Sequence, residues 1–311
     1  MAAWFRKRIW PFVVGRFGRP KSLNRITVEG QLKIQIMALT VSLRMRFIHV
    51  VSIAVSSLMV LSLFSVVAFA SPPVILNPRL RAGGSNSLNW AGYAVPAKSG
   101  TVTGASGSWV VPSVSCSKKS TYVAFWAGVD GYNDSTVEQG GVLVQCSQGA
   151  PVYSAWTEFY PAAPTYASWK PSPGDIVSVT TTCTAVSGGA TCTVTVADGA
   201  ETYGNTATVS GAELSSAECI TERPAIGGSL TTLANFGVAE FGQSYTLVSG
   251  TCYATIKGST AAFGTYPSVS SITMVTFNGK VLAYPSPLSS DGSSFTVTYG
   301  APSPGPGSGH K

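Results

Sequence analysis

Histidine is nearly absent from this 311-residue sequence: only His49, inside an apolar run, and His310, next to the end, occur. A Ser-His-Asp or Cys-His catalytic apparatus, or a zinc site built on imidazole, therefore has almost nothing to draw on. The six cysteines include no C-x-x-C pair, which removes the usual thiolate metal and redox motifs. Neither Asp-Thr-Gly nor Asp-Ser-Gly occurs, so there is no motif for a paired-aspartate peptidase. Charged residues are scarce, at 11%, and unevenly placed. A formal charge of +7 suggests nucleic acid or an anionic membrane surface as a partner. Yet ten of the twenty basic residues lie between Met1 and Arg46, where Glu29 is the single acid. From Ser71 onward ten bases face twelve acids, a net of −2, and no nucleic-acid partner is expected.

The basic segment reads as part of an export signal. Phe47 to Ala70 is an apolar run preceded by Arg44 and Arg46 and closed by Ala68-Phe69-Ala70. Basic flank, hydrophobic stretch and A-x-A site describe a secretory signal peptide cleaved before Ser71. The alternative is an uncleaved anchor, since 24 residues can also span a bilayer, and that is the only membrane attachment expected. Residues 1–44 form a basic extension or an overextended start, 45–70 the signal, 71–87 a linker or short pro-segment, and 301–311 a disordered tail. All six cysteines follow the signal, and an even number in an exported chain reads as disulfides. Cys183 and Cys192 flank Ser187-Gly188-Gly189, which can turn a hairpin between them; Cys116 with Cys146 and Cys219 with Cys252 complete the expected set.

Residues 88–300 read as one all-β domain. No segment shows a helical period of useful length, and short runs rich in Val, Thr and Tyr are separated by Gly, Ser, Asn and Pro. Expected strands include Val152–Tyr160, Ile176–Thr182, Ala190–Ala197, Thr206–Ser210, Ala217–Glu222, Tyr245–Ile256 and Ser294–Tyr299. Thr273–Phe277 and Lys280–Tyr284 flank Asn278-Gly279, a pattern suited to a type I′ hairpin turn. Strands at this spacing indicate a β-sandwich rather than a βαβ protein.

With imidazole missing, an exported enzyme must work with carboxylates, amides or hydroxyls. The acids in strand-like surroundings are Asp130, Glu138, Glu158, Glu218 and Glu222. Period-two alternation places Ser154, Trp156, Glu158 and Tyr160 on one face, and Glu218, Ile220 and Glu222 on another. Any single one of these carboxylates is most simply a solvated or capped group. Together with the aromatic residues they suggest a substrate-lined groove. Three uses remain open at this level: peptide hydrolysis, a two-carboxylate glycosidase using Glu158 and Glu222, and a lectin-like sandwich binding carbohydrate or peptide through Trp90, Trp156 and Tyr160. Glu218 and Glu222, four residues apart, lie about 13 Å from each other by strand rise, too far for either glycosidase geometry.

The ordered motifs carry a resemblance. Asn89-Trp90-Ala91-Gly92-Tyr93 is followed by Trp126-Ala127-Gly128-Val129-Asp130-Gly131 and Glu138-Gln139-Gly140-Gly141. Ala155-Trp156-Thr157-Glu158-Phe159-Tyr160-Pro161, Ala217-Glu218-Cys219-Ile220-Thr221-Glu222-Arg223-Pro224 and Leu233-Ala234-Asn235-Phe236-Gly237 complete the series. In this order they resemble the glutamic peptidases (eqolisins, peptidase family G1) from about Asn89 to Tyr299. The resemblance implies an acid endopeptidase on a concanavalin-like sandwich of two large antiparallel sheets, acting on protein or peptide substrates without cofactor or metal, and a monomer. It places the family's catalytic pair on Gln139 and Glu222 and its supporting groups on Trp90, Asp130, Trp156 and Glu158; Tyr160 joins them as a substrate-binding candidate from the same strand face. Ser154 stands where the family usually has an acid, and Arg223-Pro224 where acidic and aromatic residues commonly follow the catalytic Glu. The residue types suit the chemistry. A Glu carboxylate can activate water in mildly acid solution, where His is protonated, and a Gln amide keeps its donor at any pH.

Overall fold

A computed structural model describes residues 73–302, together with Met37 and Thr40. The expected basic extension, apart from those two positions, the signal segment and nearly all of the tail lie outside the described residues. Met1–Ala70 and Ser71–Lys311 form separate units, and the second carries the fold. No helix among the described residues is long and apolar enough to cross a membrane.

Two antiparallel sheets and one small sheet build the domain. The first runs in the order β17 (Ser270–Ile272), β2 (Trp90–Pro96), β11 (Ser216–Glu222), β4 (Thr121–Val129), β5 (Val137–Ser147), β6 (Ala150–Tyr160) and β7 (Thr165–Tyr166). The second runs β10 (Glu201–Ser210), β9 (Gly189–Asp198), β8 (Ile176–Val186), β3 (Val102–Val110), β14 (Val238–Phe241), β20 (Phe295–Tyr299), β19 (Val281–Pro285) and β18 (Met274–Val275). To it β15 (Tyr253–Ile256) adds by pairing with β3 and with β16 (Ser259–Ala262). The small sheet joins β1 (Val74–Ile75), β12 (Ala225–Ile226) and β13 (Ser229–Leu230).

The sandwich core follows from alternation. In β8, Val177, Val179, Thr181 and Cys183 are buried, and in β9 Ala190, Cys192, Val194 and Val196 are, with polar neighbours between them. Facing them, β4 sends Val123, Phe125, Ala127 and Val129 inward. Aromatic contacts fill the middle: Phe241 stacks on Phe295 with ring centroids 5.0 Å apart, and Phe125 meets Phe236 edge-on at 5.6 Å. Strands β4 and β5 are buried on both faces, so the first sheet also carries apolar cover on the side away from the core. That second face positions the site.

The hairpin β8–β9 sets Cys183 directly opposite Cys192, and the two form a disulfide; Cys116 and Cys146 form the other. The third expected pair is not joined. Cys219 and Cys252 are buried free thiols, and the Cys219 Sγ donates weakly to the Ser106 carbonyl at 3.8 Å. Cys219 lies in β11 of the first sheet and Cys252 in the loop just before β15 of the second, so their approach is set by tertiary packing and not by any local turn.

Two strand expectations need correction. Tyr245–Ile256 is not one strand: Gln243–Thr246 (α1) is a helical turn, Leu247 and Cys252 adopt left-handed conformations, and only Tyr253–Ile256 pairs. The β-branched composition is overridden by a chain reversal needed to enter the sheet beside β3. The β18–β19 hairpin forms, but its turn is centred on Phe277-Asn278, where the Gly279 N–H donates to the Thr276 carbonyl at 2.9 Å. Gly279, at φ 81°, supplies the left-handed bulge of a three-residue loop in place of a type I′ turn.

Residues 73–87 are no free linker. Leu76 is fully buried, the Leu80 carbonyl accepts from the Leu88 N–H at 2.7 Å, and the Arg79 N–H donates to the Gly131 carbonyl at 2.9 Å.

Several carboxyls are buried with this fold. Desolvation raises Asp130 to about 6 and Glu138 to about 9, with nearby acids adding to both, and raises Glu218 well above the carboxylate range. An acid whose folded pKa is raised favours folding fully below its unfolded pKa, and that contribution fades as pH climbs to the folded value. The domain is therefore expected to be most stable in acid, losing stability between about pH 4 and 6 through Asp130 and on toward 9 through Glu138. Each group gives a slope of about 1.4 kcal/mol per pH unit over its own window. Calorimetric melting temperatures from pH 3 to 8 test this; a melting temperature that rises with pH contradicts it, and Glu138→Gln should flatten the fall.

Candidate active site

The pleat of the first sheet puts Trp90 of β2, Ile220 and Glu222 of β11, Trp126 of β4, Gln139 and Leu143 of β5, and Trp156 and Glu158 of β6 on the face away from the core. Register sets one row across it: Glu218 opposite Gly128, Gly128 opposite Gln139, and Gln139 opposite Glu158. Gly128 is needed there because a Cβ would lie 2.8 Å from the Gln139 Cβ. The glycines after Gln139 have a similar origin. A Cβ on Gly141 would lie 2.1 Å from the Phe125 carbonyl, and one on Gly140 would press 2.8 Å from Val194 and Val196 of the opposite sheet.

Residues 74–79 cross this face. Val74–Ile75 pairs with β12, and the Leu76 side chain sinks into an apolar cluster with Trp90, Val137, Trp126, Trp156 and Ile220. The Leu76–Asn77 peptide is gripped at both ends. Its carbonyl accepts from Gln139 Nε2 at 3.3 Å, and its N–H donates to Glu222 Oε1 at 2.9 Å. The Asn77 carbonyl accepts from Trp90 Nε1 at 3.0 Å, and the Leu76 N–H points at Glu158 Oε1 at 3.5 Å.

Each polar group is held by others. The second N–H of the Gln139 amide donates to Glu158 Oε2 at 2.7 Å, which orients the amide nitrogen toward the peptide carbonyl. Glu222 accepts from Trp126 Nε1 on Oε2 at 2.9 Å and from Asn89 Nδ2 on Oε1 at 3.4 Å. Trp126 in turn meets Trp90 edge-on with centroids 4.9 Å apart. Burial drives both carboxyls well above the usual range. Donation from the Leu76 N–H and Gln139 partly offsets it at Glu158, and at Glu222 the Asn77 N–H opposes it while the Glu158 charge adds to it. Arg223 is not among the groups that shift Glu222; neighbours on a strand point apart, and burial lowers the guanidinium's own pKa.

Trp90, Gln139, Trp156, Glu158 and Glu222 are thus brought together, and Tyr160 packs at the margin of the same apolar cluster. Asp130 is placed differently. At φ 69° just beyond β4 it accepts from the Leu214 and Ser215 N–H groups at 2.8 and 2.6 Å, tying down the chain that leads into β11. Asn89 and Trp126 stood in the sequence motifs without an assigned role, and the docked Leu76–Asn77 peptide left no local signal. Among the described residues the one cluster of metal-ligand type, Glu138 with Cys183 and Cys192, has both sulfurs in a disulfide and lacks thiolates to offer.

Residues 88–296 match the sequence model of the Peptidase A4 family, which is most of the chain. The chain belongs to that family, the glutamic peptidases or eqolisins. It is similar to the crystal structure of scytalido-glutamic peptidase with a transition-state analog inhibitor, at TM-score 0.55 and 21% identity over 68% of this chain and 98% of that one. It is also similar to SCP-B, a member of the eqolisin family in complex with the tripeptide Ala-Ile-His, at TM-score 0.51 and 20% identity over the same shares. At these identities the likeness shows the sandwich fold. No curated protein matches the sequence. Family membership makes this glutamic peptidase an endopeptidase, and sets aside the glycosidase and binding-only alternatives.

The crowding at Gly128 gives a test. Gly128→Ala should push the Gln139 side chain off its position and destabilise the domain by about 1–3 kcal/mol. Chemical denaturation and acid proteolysis of the variant measure the two effects; unchanged stability and activity contradict the register.

Proposed function

We propose that this glutamic peptidase is a secreted acid endopeptidase in which Glu222 activates water and Gln139 stabilises the oxyanion, with no metal and no covalent intermediate. The observation that carries the reading is the grip on a single peptide unit, carbonyl to Gln139 and N–H to Glu222. Glu222 takes a proton from water as the water oxygen adds to the carbonyl carbon. The Gln139 N–H bonds to the oxygen that gains negative charge, and Glu158 fixes that donor's direction. As the C–N bond breaks, Glu222 returns the proton to the leaving nitrogen. Trp90 holds the next carbonyl along, and the tryptophan cluster with Tyr160 receives the apolar side chain before the cut. The tripeptide in the SCP-B structure is in keeping with protein or peptide substrates here. The A-x-A leader and the two disulfides support export to an oxidising compartment.

Two carboxyls, Glu158 and Glu222, flank the same peptide. Glu222 must be ionised to take the proton, but with Glu158 ionised as well, as expected in neutral solution once the site is open to water, the second charge repels the developing oxyanion. Casein digestion should rise below about pH 5 and vanish near neutrality; a neutral optimum contradicts the mechanism.

Glu222→Gln and Gln139→Ala should fold and be exported normally yet lose acid proteolysis, the latter by about 100- to 1000-fold. Full activity in either variant overturns the assignment.

A further inference from the structure

Gln139 is held at one end of its amide only. Its Nε2 group donates to Glu158 Oε2 at 2.7 Å and to the Leu76 carbonyl at 3.3 Å, while Oε1 is buried with no hydrogen-bond partner among the described residues. A buried amide oxygen without a donor costs free energy, and an amide fixed at one end can turn over and present its oxygen where the N–H belongs. The next polar side chain along the row is Glu218. Register sets Glu218 opposite Gly128 and Gly128 opposite Gln139, so no side chain stands between them. Glu218 is fully buried, and neither of its oxygens has a hydrogen-bond partner among the described residues. Two unpartnered groups thus lie on either side of a glycine, on the sheet face that carries the peptide.

We propose that Glu218 is a positioning residue for the oxyanion donor, its carboxyl donating through one buried water to Gln139 Oε1. The inference rests on the reading of Gln139 given above. The two Cα atoms lie two strand spacings apart, about 9.6 Å, a gap that a Glu and a Gln side chain close with one water between them. Polar groups on both sides give that water the partners a buried water needs. Glu218 can serve as the donor because it stays protonated. Burial raises its pKa well above the carboxylate range, the Ser216 hydroxyl opposes the rise, and the charges of Asp130, Asp134 and Glu138 add to it. Its neighbours in the row, Ala94 on β2 and Gly128 on β4, bring no charge. The Tyr132 hydroxyl donates to Ser270 Oγ at 2.9 Å, and Ser270 pairs with Ala94 at the end of the row, so the loop after β4 is tied across this region. A donor on Oε1 does two things. It fixes which end of the amide meets the peptide carbonyl, and it polarises the amide so that its N–H bonds more strongly to the oxygen gaining negative charge. Glu158 grips the nitrogen end and Glu218 the oxygen end. Glu218 acts through Gln139 alone.

The test is steady-state kinetics of the full chain at acid pH on a casein-derived peptide, with two variants. Glu218→Leu removes the donor and keeps the bulk; Glu218→Gln keeps a neutral donor. Glu218→Leu should lower kcat about 10-fold, the worth of one hydrogen bond, with KM unchanged. Glu218→Gln should hold kcat within about 3-fold of wild type. On a Gln139→Ala background Glu218→Leu should cost nothing further, since the group it orients is gone. Full activity in Glu218→Leu, equal losses in both variants, or losses that multiply with Gln139→Ala overturn the inference and leave the proposed function standing. Full activity in Gln139→Ala overturns both. If Glu218→Leu fails to fold, a high-resolution crystal structure of wild type at acid pH replaces it. A water bonded to both Gln139 Oε1 and Glu218 is expected there, and a Glu218 carboxyl bonded elsewhere, with no such water, overturns the inference.

Discussion

Three N–H groups from separate stretches of chain converge on the Glu222 carboxylate: the Asn77 backbone, the Asn89 side chain and the Trp126 indole. An ionised carboxylate fully out of water is tolerated only with such partners. Trp126 lies on β4, beside the strand that carries Glu222, and Asn89 directly precedes β2, on its other side. Asn89 also accepts from the Leu80 N–H at 2.7 Å and donates to the Asn77 and Pro78 carbonyls, so the residue that steadies Glu222 also steers the N-terminal segment onto the face. Gln139 is fixed by a matching device, its amide clamped by Glu158 on the adjacent strand.

These contacts require a crowded sheet face, and the crowding reaches through the sandwich. Gly140 lets β5 approach Val194 and Val196 of the second sheet, and the β8–β9 hairpin that presents those valines is stapled by Cys183–Cys192. Buried acids away from the peptide, Glu138 and Glu218 among them, make the same scaffold favour protonating conditions. A fold stabilised in acid and a site proposed to work in acid respond to pH in the same direction, which is a physical reason for both to occur in one chain.

Much of the site was legible in the sequence because its motifs are strand segments of fixed period. Trp156-Thr157-Glu158 places its tryptophan and carboxylate on one face wherever the strand goes, and the Cys183–Cys192 hairpin follows from its own turn. What is set by register was not legible. Gln139 lies in the row of Glu218, not of Glu222, which only the pairing of β4, β5 and β11 decides. The docking of Leu76 and Asn77 is longer-range still, with Asn77 and Glu222 separated by 145 positions in sequence, and the short run around it has no periodicity. Asp130 was grouped with the site by its motif, yet its carboxylate serves the backbone of Leu214 and Ser215. Tyr245–Ile256 had the composition of a strand, and the left-handed Leu247 and Cys252 turned it into a loop and a shorter strand.

The central claim is that Gln139 and Glu222 act as one unit on one peptide bond. A double-mutant cycle in kcat/KM at acid pH tests it most directly, using Gln139→Ala, Glu222→Gln and the pair together. Groups that work as a unit give strongly non-additive losses. The account predicts that the double variant is scarcely slower than Glu222→Gln alone. Losses that multiply, as for two independent sites, contradict it.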